Sequence, residues 1–272
     1  LACIAAGFKL GDEVIVPAMS HTATSHAVEY TGATAVFSDV EKISGNINLN
    51  FIKKCLTKKT KGIIIVHMAG LPCEVDKIAN FCKKNNLILI EDCAHALGSV
   101  YKKKHVGNFG FAGVFSFYPT KQITTGEGGI VITSNPAVYK KIKKLKAFGI
   151  DTDVSERKIV GSYDVKELGY NYRMTDFQAA LGYGQMISYK KKLIRRKKIA
   201  KRYIKNFCKY KNILYTPFTN NNSYFVFQIF FKNRNKVLEG LKKKNIGVSV
   251  HYMKPLPMMS YYKKKYNLPQ SM

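Results

Sequence analysis

The sequence predicts an α/β fold in which a three-layer, mostly parallel sheet is flanked by helices and is followed by a smaller α+β C-terminal domain. Short apolar runs rich in β-branched residues alternate with helix-length stretches through the first 135 residues. Runs that are continuously apolar, rather than alternating, belong to strands covered on both faces, as parallel strands are when helices pack on either side. After Asn135 the alternation gives way to long lysine-rich helical stretches, and from about Ile213 to strand-like segments, so a second unit follows the first.

The expected strands are Glu13 to Pro17 (EVIVP), Ala33 to Phe37 (ATAVF), Gly62 to Val66 (GIIIV), Leu87 to Ile90 (LILI), Gly113 to Phe117 (GVFSF) and Gly129 to Thr133 (GIVIT). Helices are expected between them, at Ser20 to Thr31, Asn50 to Leu56 and Glu74 to Asn85. In the last of these, Val75, Ile78, Ala79 and Cys82 fall on one face at helical spacing. Tyr224 to Phe231 (YFVFQIFF) and Gly247 to His251 (GVSVH) read as strands of the second unit. The boundary is expected within Tyr189 to Arg202, giving a large domain over 1–192 and a small one over 193–272, with no Pro- or Gly-rich linker between them.

Composition narrows the function classes. A chain of 272 residues, 46% hydrophobic, can bury a full core. It has no stretch of about 18 uninterrupted apolar residues and no signal-peptide pattern, which predicts a cytoplasmic protein without a membrane partner. Cys3, Cys55, Cys73, Cys82, Cys93 and Cys208 form no C-x-x-C pair, so reduced thiols are expected, and neither a disulfide framework nor a metal site. The net charge of +28 matches that of a nucleic-acid binder. However, the lysine runs at 140–146 and 190–198 interleave Ile142, Leu145, Leu193, Ile194 and Ile199 at helical spacing, the pattern of solvated faces of amphipathic helices. No nucleic-acid partner is therefore expected, although a positive field also suits an anionic substrate such as a nucleotide diphosphate.

Two runs carry chemistry. In EDCAHALGS (Glu91 to Ser99), Asp92 lies at the carboxyl end of the LILI strand, where ligands bind in open α/β sheets. Capping the next helix is its other reading. In FSFYPTKQITTGEGG (Phe115 to Gly129), Lys121 stands apart from the lysine runs, between two apolar strands, where desolvation would keep its amine nucleophilic. Pyridoxal 5'-phosphate (PLP) needs a lysine for its aldehyde, a carboxylate for its ring nitrogen and donors for its phosphate. Lys121, Asp92 and Ser116 fit those needs, and a satisfied strand hydroxyl is the alternative for Ser116.

With these runs in view, nearly the whole chain resembles the DegT/DnrJ/EryC1/StrS sugar aminotransferases, PLP-dependent enzymes of fold type I in the aspartate aminotransferase superfamily. The resemblance is carried also by GDEVIVPAMSHTATSHAVEYTGATAVFSDV (Gly11 to Val40), VHMAGLPCEVDKI (Val66 to Ile78), LGYNYRMTDFQAALG (Leu168 to Gly182) and VSVHY (Val248 to Tyr252). It implies that Lys121 holds the cofactor's aldehyde, that Asp92 partners its ring nitrogen and that His95 lies near its ring hydroxyl. His21 would stack on the ring where relatives carry a larger aromatic residue, or is a helix-terminus or surface histidine. Ser116 would bind the phosphate, together with Asn171 from the neighbouring subunit of a homodimer. Arg173 would either contact substrate or brace its loop, and His67 and His251 match positions on the substrate side or are ordinary core or surface histidines.

The activity implied is amino transfer from an amino acid, usually glutamate, to a nucleotide-linked 4-keto-6-deoxy sugar in surface polysaccharide, lipopolysaccharide O-antigen or glycan biosynthesis. A cyclitol or other ketone substrate, a non-catalytic regulator on the same fold, and a basic nucleic-acid or membrane module are the alternatives. A Ser-Gly-Thr phosphate loop precedes the matching segment in relatives, so the sequence is expected to be truncated before Leu1 and after Met272.

Overall fold

The computed structural model describes residues 1–152, 155 and 157–268. Its helices are α1 (Ala2–Ala5), α2 (Thr22–Glu29), α3 (Leu49–Lys54), α4 (Val75–Lys84), α5 (Pro136–Leu145), α6 (Asp176–Phe207), α7 (Arg234–Lys243) and α8 (Ser260–Tyr266). The strands are β1 (Glu13–Pro17), β2 (Thr34–Ser38), β3 (Thr60–Val66), β4 (Ile88–Asp92), β5 (Val100–Tyr101), β6 (Lys104–His105), β7 (Ala112–Ser116), β8 (Gly129–Ile132), β9 (Leu214–Tyr215) and β10 (Ile229–Phe230).

Six strands form one sheet in the order β2-β1-β3-β4-β7-β8. Every pairing is parallel except that of β7 with the edge strand β8. Successive side chains of a strand point to opposite faces, and here both faces are apolar. Val14, Val16, Ile64 and Ile90 pack with Ala2, Cys3 and Val28 on one side. Ile15, Ile63, Ile65 and Leu89 pack with Ile52, Val75, Ile78 and Cys82 on the other. The sheet is thus the middle of three layers, and the continuous apolar runs in the sequence are its two-sided strands. Register places Val66, Asp92 and Val114 side by side at the carboxyl edge.

The expected boundary lies in a helix, as the sequence suggests, and two expected strands beyond it differ from their expected form. Helix α6 runs unbroken for 32 residues, from a capping box made by Thr175 and Gln178, so positions 192 and 193 lie inside one helix. Of the predicted strand at 224–231 only Ile229–Phe230 pairs, with β9. The predicted strand at 247–251 has no ladder partner among the described residues. An alternating pattern supplies a face but not a neighbouring strand.

Residues 219–225 are bonded to the large sheet's loops instead. The Val100 amide donates to the Asn221 carbonyl (3.0 Å), Ser223 to Gly70 (3.3 Å) and Phe225 to Ala69 (3.1 Å). Ser99 Oγ donates to the Gly70 carbonyl at 2.6 Å, and Arg196 of α6 donates to the carbonyls of Tyr224 and Phe225. Gly70 permits this approach: its φ is +90°, and a Cβ there would meet Ser223 Oγ at 2.4 Å, Asn222 Oδ1 at 2.9 Å and the His95 carbonyl at 3.0 Å. Gly70→Ala is expected to cost about 1–3 kcal/mol of stability, read as a lower urea midpoint, and to loosen residues 219–225, read as faster amide exchange there.

Candidate active site

The site is built at the carboxyl edge of β4 and β7, where each strand delivers a residue and stops. Asp92 ends β4, and its carboxylate is held at both oxygens: Oδ2 accepts from Thr24 Oγ1 at 2.8 Å and Oδ1 from the Ala94 amide at 3.0 Å. Three residues on, His95 is buried and its ring stacks on Phe225, with centroids 4.3 Å apart and planes 15° from parallel. Its Nδ1 is buried without a hydrogen-bond partner, an arrangement a protein rarely leaves unless something else fills the need. Burial, and then the charges of Lys121, His251 and His21, push its pKa down to about 3, so the imidazole is neutral at working pH.

Lys121 lies in the turn that follows β7, its amide donating to the Tyr118 carbonyl. Its Nζ is 4.9 Å from the centre of the Phe225 ring. Burial lowers its pKa, and Asp92 pulls it partly back. His21 caps α2 by accepting the Ala23 amide at Nδ1, and its ring meets that of Tyr252 edge-on at 6.2 Å. His251 stands 6.2 Å from both His95 and Phe225, and burial, then Lys121 and His21, lower its pKa. The Tyr252 hydroxyl is pushed up by burial and by the nearby Asp92 charge. A carboxylate, an amine, three imidazoles and two aromatic rings therefore converge on one cleft.

Ser116 ends β7, and its Oγ accepts from the Tyr118 amide at 3.3 Å, so its proton remains available to an acceptor at the same edge. Asn171 and Arg173 lie outside this cluster. Asn171 is exposed and bridges Ala147 through the backbone, and the exposed Arg173 sets its guanidinium 5.0 Å over the Phe148 ring, the geometry of a loop brace.

His67 requires a correction. It is fully buried, with Nε2 3.1 Å from Glu91 and Nδ1 accepting from the Cys73 amide, so neither ring nitrogen can reach a substrate. It ends up there because β3 and β4 pair in register, bringing it beside the inward-facing Glu91. His67, Glu91 and Cys93 have ligand atoms within 4.8 Å of one another, but the donors to Glu91 and His67 already use those atoms.

Sequence reasoning missed Phe225, Thr24 and Tyr252. Thr24 had a signal, since a hydroxyl in the first turn after the Ser-His-Thr segment faces the strand ends. Phe225 had none, being brought in by the docking of residues 219–225.

The sequence pattern of the DegT/DnrJ/EryC1/StrS aminotransferase family matches residues 1–272. The chain belongs to this family. Family members are PLP-dependent aminotransferases, and this one is accordingly a transaminase by descent. It is 41% identical over 206 residues to GDP-perosamine synthase of Escherichia coli O157:H7, an alignment covering 76% of this chain and 55% of the synthase. It is 36% identical over 261 residues to the UDP-4-amino-4,6-dideoxy-N-acetyl-beta-L-altrosamine transaminase of Campylobacter jejuni serotype O:2, covering 92% and 68%. The structure superposes on that of the aminotransferase from Psychrobacter cryohalolentis with a TM-score of 0.91 at 29% identity, covering 99% of this chain and 74% of that one. The family's fold type I architecture accounts for the parallel sheet and for a site at its carboxyl edge. No helix among the described residues is long and apolar enough to cross a membrane.

Proposed function

We propose that the protein transfers an amino group from an amino acid, with glutamate as donor, to a nucleotide-linked 4-keto-6-deoxy sugar, using PLP held by Lys121. The observation that carries this reading is the meeting of Asp92, Lys121 and the partnerless Nδ1 of His95 at the strand ends. That donor set fits the cofactor: Asp92 for the ring nitrogen, neutral His95 for the ring hydroxyl, Ser116 for the phosphate and His21 as a cover for the ring.

PLP, when bound, supplies an aldehyde for the amine and an electron sink for the carbanion. The protein supplies the proton movements. Lys121, whose pKa is lowered by burial, would hold the cofactor's aldehyde and, once displaced by the amino donor, would serve as the base that moves a proton from the donor's α-carbon. Asp92, fixed at both oxygens, would keep the ring nitrogen protonated, and Phe225 contacts both the Lys121 amine and the His95 ring.

Two features support the finer points. Leu168, Tyr172, Phe177, Tyr183 and Ile187 are more than half exposed around Asn171 and along the start of α6, and apolar groups so concentrated favour a partner. That exposure supports a homodimer in which Asn171 completes the neighbour's phosphate site. The nucleotide-sugar substrate is supported by the relatives named above and by the excess of positive charge, which draws a diphosphate.

Incubated with PLP, glutamate and either a GDP- or a UDP-linked 4-keto-6-deoxy sugar, the protein is expected to form an amino sugar and 2-oxoglutarate in equal amounts. Mass spectrometry of the sugar and enzymatic assay of the keto acid provide the check. Turnover of a cyclitol ketone, with neither nucleotide sugar altering the cofactor's absorption, would replace this substrate class.

A further inference from the structure

Behind Asp92 lies a pair of hydroxyls that the reaction as described does not use. Ser20 Oγ and Thr24 Oγ1 are 2.9 Å apart, and Thr24 Oγ1 donates to Asp92 Oδ2 at 2.8 Å. Ser20 is 2% exposed and Thr24 4%, so water does not compete for either. A threonine hydroxyl has one proton. Because Thr24 gives its proton to the carboxylate, the bond between the two hydroxyls has one possible direction, with Ser20 donating to Thr24. Such a chain strengthens its terminal bond, because the hydroxyl that accepts becomes a better donor.

Resting on the reading of Asp92 as the ring-nitrogen partner, we propose that Ser20 and Thr24 form a hydroxyl relay that positions the Asp92 carboxylate for that nitrogen. The relay fixes Oδ2 while the Ala94 amide fixes Oδ1, so the carboxylate plane is set from two elements, α2 and the loop after β4. Thr24 stands in the first turn of the helix that His21 caps, which makes the ring cover and the nitrogen's partner move as one unit. Helix α2 is itself held from behind: Ser25 Oγ meets Tyr262 OH at 2.5 Å, and Glu29 accepts from Tyr261 and Tyr266. Ser20 and Thr24 are positioning residues, acting on the cofactor only through Asp92.

The test compares the affinity of the protein for PLP with that for its 1-deaza analogue, which carries CH in place of the ring nitrogen. Equilibrium dialysis reads both dissociation constants without reference to turnover. Wild-type protein is expected to prefer PLP, Thr24→Val to shrink that preference by about tenfold, as fits loss of a hydrogen bond to a charged group, and Thr24→Ser to restore it. Ser20→Ala, which leaves Thr24 in place, is expected to shrink it by a smaller factor and serves alone should Thr24→Val unfold. If Thr24→Val weakens both ligands equally and the preference survives, the relay is overturned and Thr24 is a packing residue. If wild-type protein shows no preference, the assignment of Asp92 falls, and the relay's role falls with it.

Discussion

Lys121→Ala is expected to lower transamination by about a thousandfold or more, the scale of losing both a positioned base and the covalent anchor. The fold is expected to survive, since the side chain is only partly buried and it meets the face of Phe225 and the nearby charges of the site, with no ion pair among the described residues. Borohydride reduction of the PLP-loaded wild-type protein, followed by peptide mapping, should find the label on Lys121. The alanine variant should yield none, with an unchanged unfolding midpoint. Label appearing on a lysine of the 190–198 run would remove Lys121 from the centre of the reaction. The choice among 45 basic residues rests on a physical contrast: burial lowers the pKa of Lys197 as well as that of Lys121, but Lys121 lies beside the Asp92 carboxylate at the strand ends, whereas Lys197 donates to the Asn220 carbonyl.

Glu91→Ala is expected to cost about 3–5 kcal/mol, the range for removing one partner of a buried charged pair. The carboxylate is fully buried and accepts from the amides of Gly107 (2.7 Å), Phe109 (2.6 Å) and Gly110 (2.9 Å) as well as from His67. The buried donors at Gly107 and His67 would be left without an acceptor, and the part-buried amides of Phe109 and Gly110 would lose theirs. Urea unfolding measures the loss. Burial alone would raise the Glu91 pKa, but His67 and these amides outweigh it and hold it below its ordinary 4.5. A depressed carboxyl stabilises the fold above its unfolded value, and that contribution disappears as pH falls from 4.5 through the folded value. His95 adds a second acid-labile contribution. Below about pH 6.5 the unfolded chain binds a proton there that the folded chain refuses until about pH 3, so stability drops across that window. His95→Gln is expected to flatten the upper part of the acid limb, and Glu91→Gln the lower part.

The large sheet was legible because two-sided burial writes itself as continuous apolar runs, and all six expected strands lie within a residue or two of their observed bounds. Asp92 and Lys121 were legible for a related reason: strand ends are where an α/β sheet presents ligands, and Asp92 sits just past an apolar run while Lys121 lies in the turn that follows one. The hairpin of β5 and β6 was not, because it turns on Lys102 and Lys103 at φ of +46° and +66°, where Asn-Gly would have announced it. Asp76 compensates by binding both Tyr101 and Lys102. His67 was misplaced because a residue just past a strand faces either the cleft or the interior according to parity, and the parity was fixed by Glu91. The second unit resisted reading because its segment at 219–225 gains its conformation from Gly70, Ser99 and Val100, contacts that no local pattern encodes.

Docking of that segment also imposes an order in time. The ribosome, which adds residues from the N-terminus at about 5–20 per second, delivers Asp92, His95 and Lys121 well before Phe225, which lies roughly a hundred residues later in the chain. For those seconds the nascent sheet carries an amine and a carboxylate with no aromatic floor beneath them and no Ser223 to hold the Gly70 turn. Seating of residues 219–225 on the Gly70 turn, and with it the stacking of Phe225 on His95, is therefore a late event in synthesis.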